Sequence, residues 1–279
     1  MRSCLYGQGY YIEKEDNYYG TKVAGLYGVA NQYGGGARGL VKTDFFVAID
    51  FDGTIVDQDI TDAVIQKFSR PGWEIPERLW EAGQMGSREC LEIQMSLINE
   101  SVADVLRFID RFSIDPNFLA FTELLNEMDI PFALISDGFK AFIQRLLLNA
   151  GFQNMPQVYA NGLMQQRCGL KTVFPYANRQ CPSGTCKCKV ASNLSAGRQV
   201  ILIGDGRSDF CLAQKAGFIF SRGKLSRFCA EHNLPFQPFD DFSEVARSIT
   251  EGIEIVSASG SSNFMNHNED GPHICNLIH

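Results

Sequence analysis

Histidine is scarce in this chain: there are four in 279 residues, three of them (His267, His273, His279) near the C-terminus and only His232 in the body. A Ser-His-Asp hydrolase, a phosphatase with a histidine nucleophile and a zinc enzyme with three histidine ligands are thereby excluded. Long apolar runs are missing too, and no window approaches the eighteen or so uninterrupted apolar residues of a membrane span. Positive charge is in short supply. With 25 Lys and Arg against 32 Asp and Glu the net charge is −7, which argues against a nucleic-acid groove lined by clustered bases. The first 43 residues have no apolar core of a secretory signal, and Glu13, Glu15 and Asp16 argue against an organellar transit peptide. Nine cysteines, an odd number scattered along the chain, suit a reducing compartment such as the cytoplasm better than a disulfide framework.

What is present is enough for one sizeable core and a small accessory domain. Residues 1–43 hold seven of the nine tyrosines and nine glycines without a sustained helical or strand period. They read as a flexible leader, or as a start assigned too far upstream. Residues 251–279 read as a loosely ordered tail, rich in Ser, Asn, Gly and His. Between them strand and helix alternate. The patterns predict strands at 44–50, 131–136, 156–160, 199–204 and 217–220, and helices at 117–129, 139–150, 187–196, 207–216, 223–232 and 241–250. Such alternation predicts an α/β fold, a Rossmann-like doubly wound parallel sheet with helices on both faces. Residues 59–115 break the pattern with several helix-like segments and no strand.

The most informative stretch is VAIDFDGTIVD, residues 47–57. A short apolar run ends in Asp50, a second carboxylate follows at Asp52, and Gly53-Thr54 turn the chain away. This is how a central strand delivers side chains to the carboxyl edge of its sheet. Two carboxylates this close repel unless a cation lies between them or one keeps its proton. A solvated acidic loop is the plain alternative. A nucleophilic Asp beside a proton-transferring Asp, with Mg²⁺, is the chemical one. Two further apolar runs end in polar groups: PFALISDGF (131–139) reaches Ser136, Asp137 and Gly138, and RQVILIGDGRSDFCLA (198–213) reaches Asp205 and Asp209. Between them, CKCKVA carries Lys187 and Lys189 at the start of a predicted helix.

These four segments, in this order, resemble the motifs of the haloacid dehalogenase (HAD) superfamily, and the resemblance covers roughly 44–250. The helical interruption at 59–115 resembles the cap of its phosphoserine phosphatase-like branch, with the core at 44–58 and 116–250. IVDQD, SDGF and the Cys-rich CPSGTCKCK place the chain nearest the group that contains a methionine-salvage ketose phosphate phosphatase. The resemblance implies a Mg²⁺-dependent phosphomonoesterase acting on a small phosphorylated metabolite. Asp50 would be the nucleophile and Asp52 the proton donor. Ser136 and Lys189, preferred over Lys187, would bind the phosphoryl group. Asp50, Asp52 (through its main-chain carbonyl), Asp205 and Asp209 would form the metal site. Asp59 stands where relatives carry a substrate-facing Glu, with Asp57 as an alternative, and Arg88, Asp137 and Gly138 would also face the substrate. Phosphoserine remains an alternative substrate, and a catalytically inactive binding protein is the non-enzyme alternative.

Cys168, Cys181, Cys186 and Cys188 carry three open readings: a structural zinc site, reduced thiols in an ordinary loop, or a redox-sensitive cluster. Their spacing is not that of common zinc motifs. Neither nucleic acid nor membrane is expected as a partner, and a homodimer is compatible with the sequence.

Overall fold

The computed structural model describes residues 45–166 and 169–251. The predicted leader and nearly all of the predicted tail lie outside the described residues, as does Cys168. Seven strands form one sheet in the order β4-β3-β2-β1-β5-β6-β7. All neighbouring pairs are parallel except β3–β4, which is antiparallel. The strands are β1 (Phe45–Ile49), β2 (Phe132–Phe139), β3 (Val158–Gln166), β4 (Gly169–Val173), β5 (Gln199–Gly204), β6 (Phe218–Ser221) and β7 (Phe236–Pro238).

The central strands are apolar on both faces because helices cover both. Val47, Ile49, Leu134, Ile201 and Ile203 belong to one buried cluster, while Phe46, Ala48, Ala133, Ile135, Val200 and Leu202 belong to another. The first face is covered by α5 (Phe118–Glu127), α6 (Lys140–Asn149) and α10 (Phe242–Thr250), which supply Phe121, Leu146 and Val245. The second is covered by α7 (Lys187–Ser195), the short α8 (Phe210–Ala213) and α9 (Gly223–Glu231), which supply Ala191, Leu212 and Leu225. Full burial of each such aliphatic side chain stabilises the fold by about 1.5–3 kcal/mol.

Residues 59–115 hold four helices: α1 (Ile60–Phe68), α2 (Glu74–Glu81), α3 (Ser87–Ser96) and α4 (Val102–Ile109). Asp59 caps α1 by accepting from the Asp62 amide at 2.8 Å, and the Ser101 hydroxyl accepts from Asp104 N to start α4. Helix α4 packs on α6 and β3, while α3 lies against β4.

Three differences from the sequence-based expectation are local. Strand β3 runs on to Gln166 and pairs with β4, which was not predicted; the hairpin carries too few apolar residues to announce itself. Strand β7 is three residues of half-exposed edge, FQP, and was also missed. The predicted helix at 207–216 is a single 3-10 turn at Arg207–Asp209 followed by the one-turn α8, because the Asp209 carboxylate takes the Asp205 and Gly206 amides and bends the chain.

Candidate active site

Register brings the polar residues to one edge. Ile49 of β1 lies beside Leu134 of β2 and Ile203 of β5. Asp50, one residue past Ile49, and Ser136 and Asp205, two residues past Leu134 and Ile203, therefore come together at the carboxyl edge of the sheet, where β1 separates its two halves. There the carboxylates of Asp50, Asp205 and Asp209 each bring an oxygen within 4.8 Å of the others.

Lys187, the first residue of α7, enters this group from the side. Its Nζ lies 2.7 Å from Asp50 Oδ2 and 2.7 Å from Asp209 Oδ1, with the lysine side chain only 2% exposed. Lys189, preferred from the sequence, is exposed. The correction has a helical reason: positions two apart on a helix differ by about 200°, so only one of the two lysines can face the sheet edge. Lys187 takes that face and Lys189 points to solvent.

Three carboxylates and one ammonium leave a formal charge of −2 in a nearly closed space. This excess charge and the burial shift the pKa values of the groups involved. Asp50 is held well above the ordinary carboxylate range, by burial first and then by the charges of Asp209 and Asp205, with Lys187 opposing. Asp205 is pushed up to about 6 by burial and Asp209, against Lys187 and the Thr54 hydroxyl, which donates to its Oδ1 at 3.2 Å. Burial alone would lower the Lys187 ammonium, but Asp209 and Asp50 outweigh it and hold it raised. A divalent cation with oxygen preference would relieve the excess negative charge. The donor set of hard oxygens from Asp50, Asp205 and Asp209 fits Mg²⁺.

Asp52 stands apart from that trio. Its Oδ1 accepts from the Ile60 amide at 2.9 Å, at the start of α1, and its pKa is well raised, by burial first and then by Asp59. Glycines make room for each of these acids. A Cβ on Gly138 would lie 2.4 Å from Asp52 Oδ2, one on Gly53 2.3 Å from Asp205 Oδ2, and one on Gly204 2.5 Å from Asp209 Oδ2. Gly53 also has φ +71°, a conformation that only glycine takes cheaply.

Ser136 is buried, and its Oγ accepts from the Gly138 amide at 3.0 Å. Asp137 is bound differently from a substrate-facing residue. Its carboxylate accepts from Ser87 Oγ, from the Thr185 amide at 2.8 Å and from Asn161 Nδ2 at 3.2 Å. Asn161 also bonds the Asp137 carbonyl oxygen and accepts from Thr185 Oγ1 at 3.1 Å. Burial raises the Asp137 pKa in spite of these donors. The sequence reading missed Ser87, Asn161 and Thr185. Asn161, a fully buried amide inside β3, was the available signal, since a buried amide in a strand demands partners.

Arg88 sits beside Ser87 at the start of α3, where its amide donates to the Pro182 carbonyl at 3.1 Å. Asp59 is the exposed N-cap of α1. Asp57, the alternative to Asp59, is exposed and pairs with Arg222 at 3.5 Å. Arg207, in the same 3-10 turn as Asp209, donates to the Trp80 carbonyl at 3.0 Å and lies over the Trp80 ring, so the insertion contacts the core at both Asp137 and Arg207. Among the described residues no helix is long and apolar enough to cross a membrane.

The residues from 45 to 224 match the family described as Putative Phosphatase. The chain belongs to this family. Curated relatives include a 2-hydroxy-3-keto-5-methylthiopentenyl-1-phosphate phosphatase of Bacillus cytotoxicus, 27% identical over 74% of this chain and 96% of its own. One of the same name from Geobacillus thermodenitrificans is 26% identical over 78% of this chain and 100% of its own. Among solved structures, a HAD family hydrolase from Salmonella enterica serovar Typhi superposes with TM-score 0.57 at 16% identity, covering 73% of this chain and 70% of that one. A substrate-bound phosphoserine phosphatase does so with TM-score 0.55 at 16% identity, covering 72% and 96%. These structural likenesses establish the fold.

Proposed function

We propose that the chain is a Mg²⁺-dependent phosphomonoesterase that hydrolyses a small phosphorylated metabolite through an aspartyl phosphate on Asp50. The observation that carries this reading is the meeting of Asp50, Asp205 and Asp209 from two strand ends and a 3-10 turn, with Lys187 bridging two of them. In the first half-reaction an Asp50 carboxylate oxygen attacks phosphorus in line and the ester P–O bond breaks. Asp52 gives its proton to the departing oxygen; its raised pKa suits a donor. In the second half Asp52 takes a proton from a water molecule that attacks phosphorus, and the bond to Asp50 breaks to release phosphate. The Lys187 ammonium and the Ser136 hydroxyl donate to phosphoryl oxygens, whose charge grows in the transition state. Asp50, Asp205 and Asp209 would hold the metal together with the Asp52 carbonyl. When bound, Mg²⁺ neutralises these carboxylates and withdraws charge from the phosphoryl group.

Residues 59–115 would act as a cap that closes on small substrates, a reading supported by the Ser87–Asp137 and Arg207–Trp80 contacts between insertion and core. The curated relatives, named for a methylthio ketose phosphate, favour a substrate of that class, which Arg88 and Asp59 would help to bind. An amino-acid phosphate is the second reading, favoured by the exposed Asp59 carboxylate, which suits an ammonium group. The odd number of scattered cysteines suits action in a reducing compartment such as the cytoplasm.

The test is Mg²⁺-dependent phosphate release from p-nitrophenyl phosphate by wild type and Asp50→Asn, followed by a panel of phosphorylated metabolites. Wild type is expected to turn over and Asp50→Asn to be silent. Equal rates would remove the nucleophile from this scheme.

A further inference from the structure

Cys188 and Cys211 form a pair whose sulfurs lie 2.9 Å apart. Cys188 follows Lys187 on α7, and Cys211 stands two residues after Asp209 on α8. The two helix starts joined by the Lys187–Asp209 ion pair are thus the same two that carry the thiols. Cys188 is 4% exposed, whereas Cys211 is half-buried, so an oxidant in solution reaches Cys211 first.

We infer that Cys188 and Cys211 are an oxidative modification site, closing to an intramolecular disulfide with a hydroperoxide as oxidant. The Cys211 thiolate attacks a peroxide oxygen, the O–O bond breaks, and a sulfenic acid forms on Cys211 with loss of hydroxide. The Cys188 sulfur then attacks the Cys211 sulfur. The S–O bond breaks, and the hydroxyl leaves as water with the thiol proton of Cys188. In sum, two thiols and H₂O₂ give one disulfide and two waters; the thiols lose two electrons and the peroxide gains them.

A disulfide has sulfurs about 2.05 Å apart, so closure shortens the sulfur–sulfur distance by most of an ångström and pulls on the two helix starts that carry the thiols. Lys187 is the immediate neighbour of Cys188, and its Nζ is held at 2.7 Å from both Asp50 and Asp209. A displacement near 1 Å in a phosphoryl-binding group costs up to about a hundredfold in rate. Oxidation therefore switches the enzyme off reversibly. This consequence rests on the phosphatase reading, but formation of the disulfide does not.

The experiment treats the full chain with stoichiometric hydrogen peroxide and follows peptide mass, melting temperature and p-nitrophenyl phosphate hydrolysis. The expected result is a cross-linked peptide pair containing Cys188 and Cys211 with two hydrogens lost, a melting temperature several degrees higher, and at least a tenfold fall in activity restored by dithiothreitol. Cys188→Ser and Cys211→Ser keep wild-type basal activity and lose little of it in peroxide. A cross-link between other cysteines, no cross-link, or an unchanged rate once the link has formed overturns the inference. Stoichiometric zinc held by these thiols in the purified protein overturns it as well. If wild type proves inactive as a phosphatase, the cross-link and the melting temperature still decide the matter.

Discussion

Replacing Lys187 by Met isolates the charge that holds the site together. Met nearly conserves the length and apolar stem of lysine, so the change removes the ammonium and little else. Asp50 and Asp209, 6% and 0% exposed, then face each other and Asp205 with no cation among them. Removing one partner of a buried ion pair typically costs about 3–5 kcal/mol. In a domain of this size that corresponds to a fall in melting temperature of roughly 6–20 °C. Loss of one donor to the developing phosphoryl charge lowers kcat by about 10²–10³. Lys189→Met is the control: an exposed lysine on the opposite side of the same helix changes stability by no more than about 0.5 kcal/mol and leaves turnover unchanged. Thermal melts with EDTA and p-nitrophenyl phosphate kinetics with Mg²⁺ read both effects. The Lys187→Met deficit should also shrink at low pH, where Asp50, already raised by burial and its acidic neighbours, takes up a proton and the repulsion falls. If Lys189→Met proved the damaging change and Lys187→Met the silent one, the electrostatic argument would fail.

Three other outcomes follow from the geometry. Gly138→Ala places a Cβ 2.4 Å from Asp52 Oδ2, so the carboxyl must move; kcat should drop by about a hundredfold with the melting temperature changed far less, and a normal kcat would show that Asp52 is not used from this position. Asn161→Leu strips Asp137 and Thr185 of buried partners and should destabilise the protein by about 1–3 kcal/mol in urea unfolding; an unchanged midpoint would refute the network. Asp205, raised to about 6, and Asp62, raised to about 7 by burial and by Asp59 and Glu77, bind protons in the folded state that unfolded carboxyls near pH 4 do not. The stabilisation from these protons is complete below about pH 4 and lost as pH rises through 6 and 7, so melting temperature in EDTA should fall across that window. Mg²⁺ should offset the Asp205 share, and identical profiles with and without Mg²⁺ would contradict a site at these carboxylates.

The course of the chain was legible in one dimension wherever burial leaves an unbroken apolar run. Residues 45–49, 132–135 and 199–204 are walled on both sheet faces, and each run ends where polar chemistry begins, so the α/β class and the acids at the sheet edge could be read before any coordinates. Edge strands β4 and β7 lack that signature because one side of each is open, and their pairing is decided by neighbours distant in sequence. The choice between Lys187 and Lys189 was equally hidden. Two lysines two positions apart have the same local context, and only the rotation of α7 against the sheet selects one. The same holds for Ser87, Asn161 and Thr185 around Asp137, contributed by a helix, a strand and a loop that no local pattern connects. Composition and periodicity determined which segments pack and where charge accumulates. Long-range packing alone decided which cation answers that charge, because the energy of a buried ion pair depends on ångström-scale distances that a linear pattern does not encode.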